Sequence, residues 1–438
     1  MPLKHFGTDG VRGHAYHSPL TLEESVRWGG AWGRVARARG IRRLIVGWDP
    51  RLSSEPLWAA FHQGLGTGLE VRVLGLAPTP AVAWTVEQST RGGAPAWGLM
   101  LSASHNPPED NGLKGFNSVG EKLSEEEERA IEAAFEQEAE PGIETIATAS
   151  ESLEPYLRHL EGLDLPEGLG IVVDCAHGAA GPSARRLLRG PGLHWLAEEP
   201  DGARINVGVG STHLEALKAA VTGHRADFGL AFDGDGDRCL MVDRSGRVLD
   251  GDQMLWLLTQ DRIASNDPPP GVVGTVMTNG GLEAALNAAG IPFVRTPVGD
   301  KFLLRELAVR GWDLAAEASG HLIQKRVCPS GDGLATALSI LRALVHRPRA
   351  ERLSWTFVPW PQRLVNVVAR ERRPVETMNA LRRAMAAVEA RHGVQARQVI
   401  RWSGTEPKLR LMVEAPHKAW VDQALVELEA AARSDLGL

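Results

Sequence analysis

Residues 168–196 read "GLGIVVDCAHGAAGPSARRLLRGPGLHWL". An apolar run ends in a small polar turn, a helix-like stretch follows, and a second apolar run closes the segment. Strand, turn, helix and strand within about 30 residues make a βαβ unit, whose crossover implies parallel pairing with a helix packed on the sheet. Two other stretches share the plan: "RRLIVGWDPRLSSEPLWAAFHQGLGTGLEVRVLG" at 42–75 and "GVVGTVMTNGGLEAALNAAGIPFVRTPVG" at 271–299. Three copies so widely spaced predict three related α/β domains with mixed sheets rather than one large sheet.

The C-terminal part is different. Strand-like "RLVNVVAR", helix-like "VETMNALRRAMAAVEARH", a hairpin "QVIRWSGTEPKLRLMVE" and helix-like "WVDQALVELEAAAR" follow one another. They predict a small α+β domain with one antiparallel sheet. Weakly patterned or Pro-rich joints set the expected domains at 1–150, 151–250, 251–357 and 358–438. A chain of 438 residues suits three or four domains at roughly 150 residues each.

Bulk composition excludes several classes. The chain is 43% hydrophobic and 23% charged with a formal net charge of −6, so no broad basic field invites nucleic acid or an anionic membrane. No apolar stretch approaches the ~20 residues of a membrane span. The N-terminal "MPLKHFGTDG" has no hydrophobic signal core, and a cytoplasmic location is expected. Three widely spaced cysteines form no C-x-x-C pair and support neither a zinc site nor a disulfide framework.

Four loops carry chemistry. "GLAFDGDGDRCLMV" sets Asp233, Asp235 and Asp237 at i, i+2 and i+4 between two apolar strands, on one face of an extended segment. Adjacent carboxylates repel unless a cation neutralises them, and all-oxygen ligands favour Mg²⁺ or Ca²⁺. An EF-hand is excluded, because its required Gly and final Glu are replaced by Arg238 and Arg244. "LMLSASHNPPEDNGLKGF" at 99–116 holds Ser104, His105 and Lys114 with no G-x-S-x-G elbow; by itself it also fits a strand ending at an Asn-Pro turn. "RWSGTEPKLR" at 401–410 gathers Arg401, Ser403, Gly404, Thr405 and Arg410, the guanidinium forks, hydroxyls and amides that a phosphate requires, although a plain hairpin turn reads the same way. "WDLAAEASGHLI" at 312–323 offers Glu317, Ser319 and His321, a carboxylate and hydroxyl suited to a polyol. Asp332 reads as the N-cap of the apolar helix that follows it.

Taken in order, "FGTDGVRG", "SASHNPPEDNGLKGF", "FDGDGDR", "EASGH" and "RWSGTEPKLR" resemble the α-D-phosphohexomutase family over nearly the whole chain. Within it, "FGTDGVRG", "APTPAVAW", "GSTHLEALKAAV" and "VGDKF" are most similar to members acting on glucosamine phosphates. The resemblance implies four domains around a central cleft. It also implies that Ser104 carries phosphate and joins Asp233, Asp235 and Asp237 around one Mg²⁺ per chain. Arg12, Arg238 and His105 would attend the transferring group, and Lys114, with a lowered pKa, would act as general acid/base. Glu317, Ser319, His321 and Lys301 would meet the sugar; Arg401, Ser403, Gly404, Thr405 and Arg410 would hold the other phosphate. The family departs from this chain at Ala316, where Gly is common.

The expected reaction interconverts glucosamine 6-phosphate and glucosamine 1-phosphate through a glucosamine 1,6-bisphosphate intermediate, feeding amino-sugar nucleotide synthesis. A phosphoglucomutase or phosphomannomutase is the nearest alternative. A Mg²⁺-dependent sugar phosphatase and a Ca²⁺-binding sugar module are more distant ones. The expected partner is a phosphosugar, with no nucleic acid and no membrane, and the expected assembly is a monomer or homodimer.

Overall fold

The computed structural model describes residues 3–7, 9–137, 148–345, 357–403 and 407–438. These form two compact units, one from 1–275 with 294–355 and a smaller one from 276–293 with 356–438. Two of the three βαβ stretches lie wholly in the first unit, and all three form the expected strand, helix and strand. Strand Arg43–Trp48, helix Ser54–Gly64 and strand Glu70–Leu76 form the first. Strand Ile171–Asp174, helix Ala180–Leu187 and strand Leu193–Leu196 form the second. In both the two strands pair in parallel. The third comprises strand Val272–Thr275, helix Gly280–Ala288 and strand Phe293–Thr296.

The sheets of this unit are mixed, with seven, five and four strands beside a two-stranded pair. Each large sheet contains one strand that is parallel to one neighbour and antiparallel to the other. In the first it is Ala96–Leu101, between Arg43–Trp48 and Asp110–Phe116. In the second it is Phe228–Phe232, between Ile171–Asp174 and Cys239–Asp243. In the third it is Leu314–Ala316, between Val272–Thr275 and Leu322–Gln324. Covered on both faces, all three strands are buried throughout, which is why they read as continuous apolar runs.

A hairpin at the carboxyl end of each such strand delivers a chemical loop: Ser104 after the first, the three aspartates after the second, Glu317 to His321 after the third. Ligands of α/β sheets bind outside the carboxyl ends of strands. A bridge between Arg238 and His321 and a hydrogen bond from Cys239 N to Gly320 O (3.1 Å) stitch the second loop to the third. Ala316 closes its strand as a buried residue opposite Leu322, so the strand accommodates a side chain at this position.

The chain just before the expected domain boundary at 150 does contribute structure. Thr148–Ser150 is a strand paired in parallel with Val71–Val73, while 138–147 lie outside the described residues. Asp332 caps its helix as its position implies, accepting from Ala335 N at 2.9 Å.

In the smaller unit, strand Lys408–Glu414 lies between Gln362–Val368 and Arg397–Trp402, antiparallel to both. Helices Asn379–His392 and Lys418–Leu436 bury Leu381, Val388, Val421 and Leu425 with Leu409, Leu411 and Val413 of the sheet. The helix expected from Val375 starts later. Val375–Thr377 form a 3₁₀ turn directly after Pro374. Helix Gly280–Ala288 belongs to this unit: Glu414 accepts from Gly280 N at 2.5 Å, and Asn279 exchanges two hydrogen bonds with the Trp360 backbone.

Candidate active site

Ser104 sits at the first hairpin with φ of 55°, a left-handed conformation uncommon for a residue with a side chain. Its Oγ donates to Asp233 Oδ2 at 2.6 Å and lies 3.3 Å from His105 Nδ1. Burial, together with the nearby Arg238 and Arg12, pushes the His105 pKa down to about 4, so the ring is neutral at physiological pH. Serine and carboxylate are 129 residues apart in sequence, and both are buried.

Asp233, Asp235 and Asp237 converge, one oxygen from each lying within 4.8 Å of the others. Their charges are unequally stabilised. Burial, with Asp237 and Asp235 alongside, holds Asp233 well above the usual carboxylate range. Burial acts the same way on Asp237, but Lys114, His321 and Arg238 outweigh it and hold that group well below the range. Asp235 Oδ1 and Asp237 Oδ1 are buried and accept no hydrogen bond among the described residues. Three inward carboxylates, two of them with such a bare oxygen, fit a hard divalent cation.

Lys114 is fully buried against the same cluster. Its Nζ lies 2.6 Å from Asp235, 3.1 Å from Asp9 and 3.6 Å from Asp237. The expected lowered pKa is corrected here. Burial alone would lower it, but the carboxylates of Asp235, Asp9 and Asp237 prevail and raise it above the ordinary lysine value.

Arg12, on strand Gly10–His14, pairs with Asp9 and points toward Ala103 O at 3.5 Å. Arg238 donates its backbone N–H to Asp233 at 3.1 Å and brings its guanidinium within 4.0 Å of Asp233 and 3.8 Å of Asp237. Both arginines face a cavity of about 190 Å³, whose other walls include His105, Asp237, Asp300, Glu317 and His321. A carboxylate cluster under a hydroxyl, with two guanidiniums facing a cavity, is an arrangement for phosphoryl transfer.

Four segments match phosphoglucomutase/phosphomannomutase domains. The alpha/beta/alpha domains I, II and III match 3–142, 154–246 and 250–355, and the C-terminal domain matches 364–431. The chain belongs to the phosphoglucomutase/phosphomannomutase family. It is 40% identical to the phosphoglucosamine mutase of Verminephrobacter eiseniae, with 99% of this chain and 96% of that one covered. Identity to the phosphoglucosamine mutase of Thioalkalivibrio sulfidiphilus is 41%, covering 99% of each. Among solved structures, a phosphoglucomutase/phosphomannomutase family protein from Burkholderia thailandensis superposes with a TM-score of 0.80 at 22% identity, covering 99% and 98% of the two chains. The N-acetylphosphoglucosamine mutase of Aspergillus fumigatus, solved in complex with GlcNAc-6P and magnesium, gives 0.66 at 18% identity, covering 99% and 96%. These structural likenesses carry the multi-domain α/β fold of the phosphohexomutases.

Within this family member, the third loop also faces the cavity. Glu317 Oε1 accepts from Gly299 N at 2.9 Å, and Ser319 Oγ donates to Oε2 at 3.3 Å. Burial opposes charge on His321, yet Asp237, Asp300 and Glu317 push its pKa up to about 9. Lys301 is placed elsewhere, 3.6 Å from Glu128 on helix Glu125–Phe135, and is not among the residues lining the cavity. In the smaller unit, Arg401 and Arg410 are directly opposite on paired strands, and Arg410 Nη2 is 3.4 Å from Ser403 Oγ. Gly404 and Thr405 lie outside the described residues.

Several site residues carried no signal in spacing. Asp9 pairs with Arg12, Lys114 and Lys122. Thr79 donates its hydroxyl to Asp235 Oδ2 at 2.6 Å. Asp300 comes within 3.6 Å of Lys122 and 4.0 Å of His321. Asp9 was within reach, since it shares the "FGTDGVRG" turn with Arg12. Thr79 was not, because its partner is 156 residues away.

No helix among the described residues is long and apolar enough to cross a membrane.

Proposed function

We propose that this mutase interconverts glucosamine 6-phosphate and glucosamine 1-phosphate, with Ser104 carrying the phosphoryl group in transit. The observation that carries the reading is the 2.6 Å contact of Ser104 Oγ with Asp233 inside the three-carboxylate cluster. It occurs in a chain about 40% identical over its length to phosphoglucosamine mutases. The four segments 1–150, 151–250, 251–357 and 358–438 each supply one loop.

Glucosamine 6-phosphate meets a phosphorylated Ser104. The P–Oγ bond breaks as a bond forms from phosphorus to O1 of the sugar, the O1 proton departs, and the serine oxygen becomes a hydroxyl. The product is glucosamine 1,6-bisphosphate. After it turns end for end, Ser104 Oγ takes the phosphoryl group from O6, a proton returns to O6, and glucosamine 1-phosphate leaves. Asp233, Asp235 and Asp237 would hold one Mg²⁺, which supplies Lewis-acid stabilisation of the phosphoryl oxygens when bound. Arg12 and Arg238 add positive charge where the equatorial oxygens gain negative charge. Lys114, held in its charged form by Asp235, Asp9 and Asp237, gives a proton to the serine oxygen as it leaves and takes one from the sugar hydroxyl, and does the reverse in the second step. Glu317 and Ser319 accept and donate to sugar hydroxyls, with His321 beside them. Arg401, Ser403, Gly404, Thr405 and Arg410 grip the phosphate that is not moving.

A side-by-side assay on glucosamine, glucose and mannose 6-phosphates tests the substrate. The glucosamine ester is expected to give the highest kcat/KM, and a preference for glucose or mannose esters contradicts this reading.

A further inference from the structure

The carbonyl of Ser104 is gripped from two sides. Arg51 Nη2 donates to it at 3.0 Å and Asn206 Nδ2 at 2.8 Å. The same two groups share Asn106 O, at 2.8 and 3.0 Å respectively. Arg51 Nη1 extends the grip to Asp110 O at 2.9 Å and to Pro107 O. Arg51 is 2% exposed and held by Asp49 Oδ2 at 3.0 Å. That carboxylate also accepts from Ser102 Oγ at 2.7 Å, and Ser102 Oγ in turn accepts from Ser104 N at 2.7 Å. Both backbone polar groups of Ser104 are therefore tied to side chains.

The need for such restraint is visible in the backbone. Ser104 has φ of 55° and Asn206 φ of 63°. Non-glycine residues hold this conformation only where the surroundings over-determine it. The aspartate loop presses on the same point: a Cβ on Gly234 would lie 2.7 Å from Ser104 O and 2.9 Å from Asn206 Nδ2. Neither Arg51 nor Asn206 hydrogen-bonds Ser104 Oγ or the three aspartates, so both act through the main chain.

We infer that Asn206 and Arg51 are a positioning pair for phosphoryl transfer. They fix the Ser104 main chain so that Oγ keeps facing Asp233 through each gain and loss of phosphate. Asn206 comes from the second α/β segment, the one that carries the aspartates, and so couples the nucleophile's loop to the cluster it must address. The inference rests on Ser104 as the phosphoryl carrier. Its energetic logic is geometric, since displacement of a reacting group by about 1 Å costs on the order of 100-fold in rate.

The test is Asn206→Ala, with Arg51→Lys beside it. Ser104 O and Asn106 O each keep an Arg51 donor when Asn206 is lost, so the alanine variant orphans no carbonyl. Its kcat on glucosamine 6-phosphate should fall by about 10- to 100-fold, with KM within about threefold of wild type. Asn206→Gly, which takes the φ of 63° without strain, is run beside it and should show the same fall, separating loss of the amide donor from backbone strain. Added glucosamine 1,6-bisphosphate should not restore it, and the ³¹P resonance of phosphorylated Ser104 should shift or broaden. Arg51→Lys keeps charge beside Asp49 but cannot span four carbonyls, and should show the same pattern. A kcat within about twofold of wild type per folded molecule in Asn206→Ala, with an unchanged ³¹P resonance, overturns the inference. Wild-type enzyme run alongside separates the two levels. If it neither turns over glucosamine 6-phosphate nor carries phosphate on Ser104, the parent reading fails; a wild-type-like variant beside an active wild type sinks only the positioning role.

Discussion

Lys114 Nζ lies 2.6 Å from Asp235 Oδ2, joining strand Asp110–Phe116 of the first sheet to the hairpin loop of the second. The lysine is the positive centre of a group that also includes the buried Asp237 and the partly exposed Asp9. Any cation bound by Asp235 and Asp237 competes with it for the same charge. Lys114→Arg retains the charge but supplies a group that does not deprotonate. Its kcat should fall by roughly 10² or more with little change in KM. Steady-state kinetics check this, and a near-silent variant would assign the proton transfer to another group.

Mg²⁺ should stabilise the fold as well as support turnover. Bare carboxylate oxygens on Asp235 and Asp237 make the metal-free cluster self-repelling. At about 100 times its dissociation constant the ion contributes roughly 2.7 kcal/mol of stability. Thermal melts with and without Mg²⁺ after chelation should show the rise in Tm, and Asp235→Asn should reduce it. Activity should vanish with chelator and return with Mg²⁺, with Ca²⁺ a poor substitute because it imposes longer, looser coordination.

Arg401 and Arg410 face each other across paired strands, where like charges destabilise. Relieving the repulsion with Arg401→Thr should stabilise the smaller unit by about 0.2–1 kcal/mol while raising KM. Arg410→Ala should raise KM far more than it lowers kcat, by an amount corresponding to about 1.5–3 kcal/mol, the range for a hydrogen bond to a charged group. If added 1,6-bisphosphate restores any lost kcat, escape of the intermediate explains that part. Unchanged KM in both variants would remove these arginines from substrate binding.

Asp332 gives a pH signature away from the cluster. Burial pushes its pKa up to about 6 from 3.8, against the hydrogen bonds it receives from Ala335 N and Tyr156 Oη. Between those values the folded state holds a proton that the unfolded state has lost, so this group's contribution to stability falls as pH rises from about 4 to 6. Above both values its ionised form costs on the order of 1–3 kcal/mol. Asn at this position still caps the helix. Asp332→Asn should therefore gain stability over wild type at pH 8 and lose that advantage at pH 4, as read by urea unfolding at the two values. An equal difference at both pH values would refute the assigned cause.

Much of this site was legible because its chemistry is local in sequence. Asp233, Asp235 and Asp237 alternate with glycines between two apolar strands, and they converge through a turn in which Gly236 takes φ of 70°, the curl those glycines permit, rather than along an extended segment. The three βαβ patterns were equally plain, since burial on both faces writes uninterrupted apolar runs. What spacing could not express was contact across segments. Thr79 and Asn206 meet the cluster or the serine loop from distant parts of the chain, and each is an ordinary turn or helix-start residue by type. The same limitation misled the reading of Lys114. The "NGLKGF" pattern holds a lysine but conceals the three carboxylates that raise its pKa. Lys301 likewise had a motif around it, yet it turns to Glu128 on a helix that no motif marked.

The most direct measurement pairs intact-protein mass spectrometry with turnover of glucosamine 6-phosphate for wild type and Ser104→Ala. The serine donates one hydrogen bond, to Asp233, from a turn, so the variant should fold normally. Wild type should show a fraction about 80 Da heavier, one phosphate's mass, and active turnover. Ser104→Ala should lack both the added mass and the turnover. An alanine variant that retains most of the mutase activity would contradict the account at its centre.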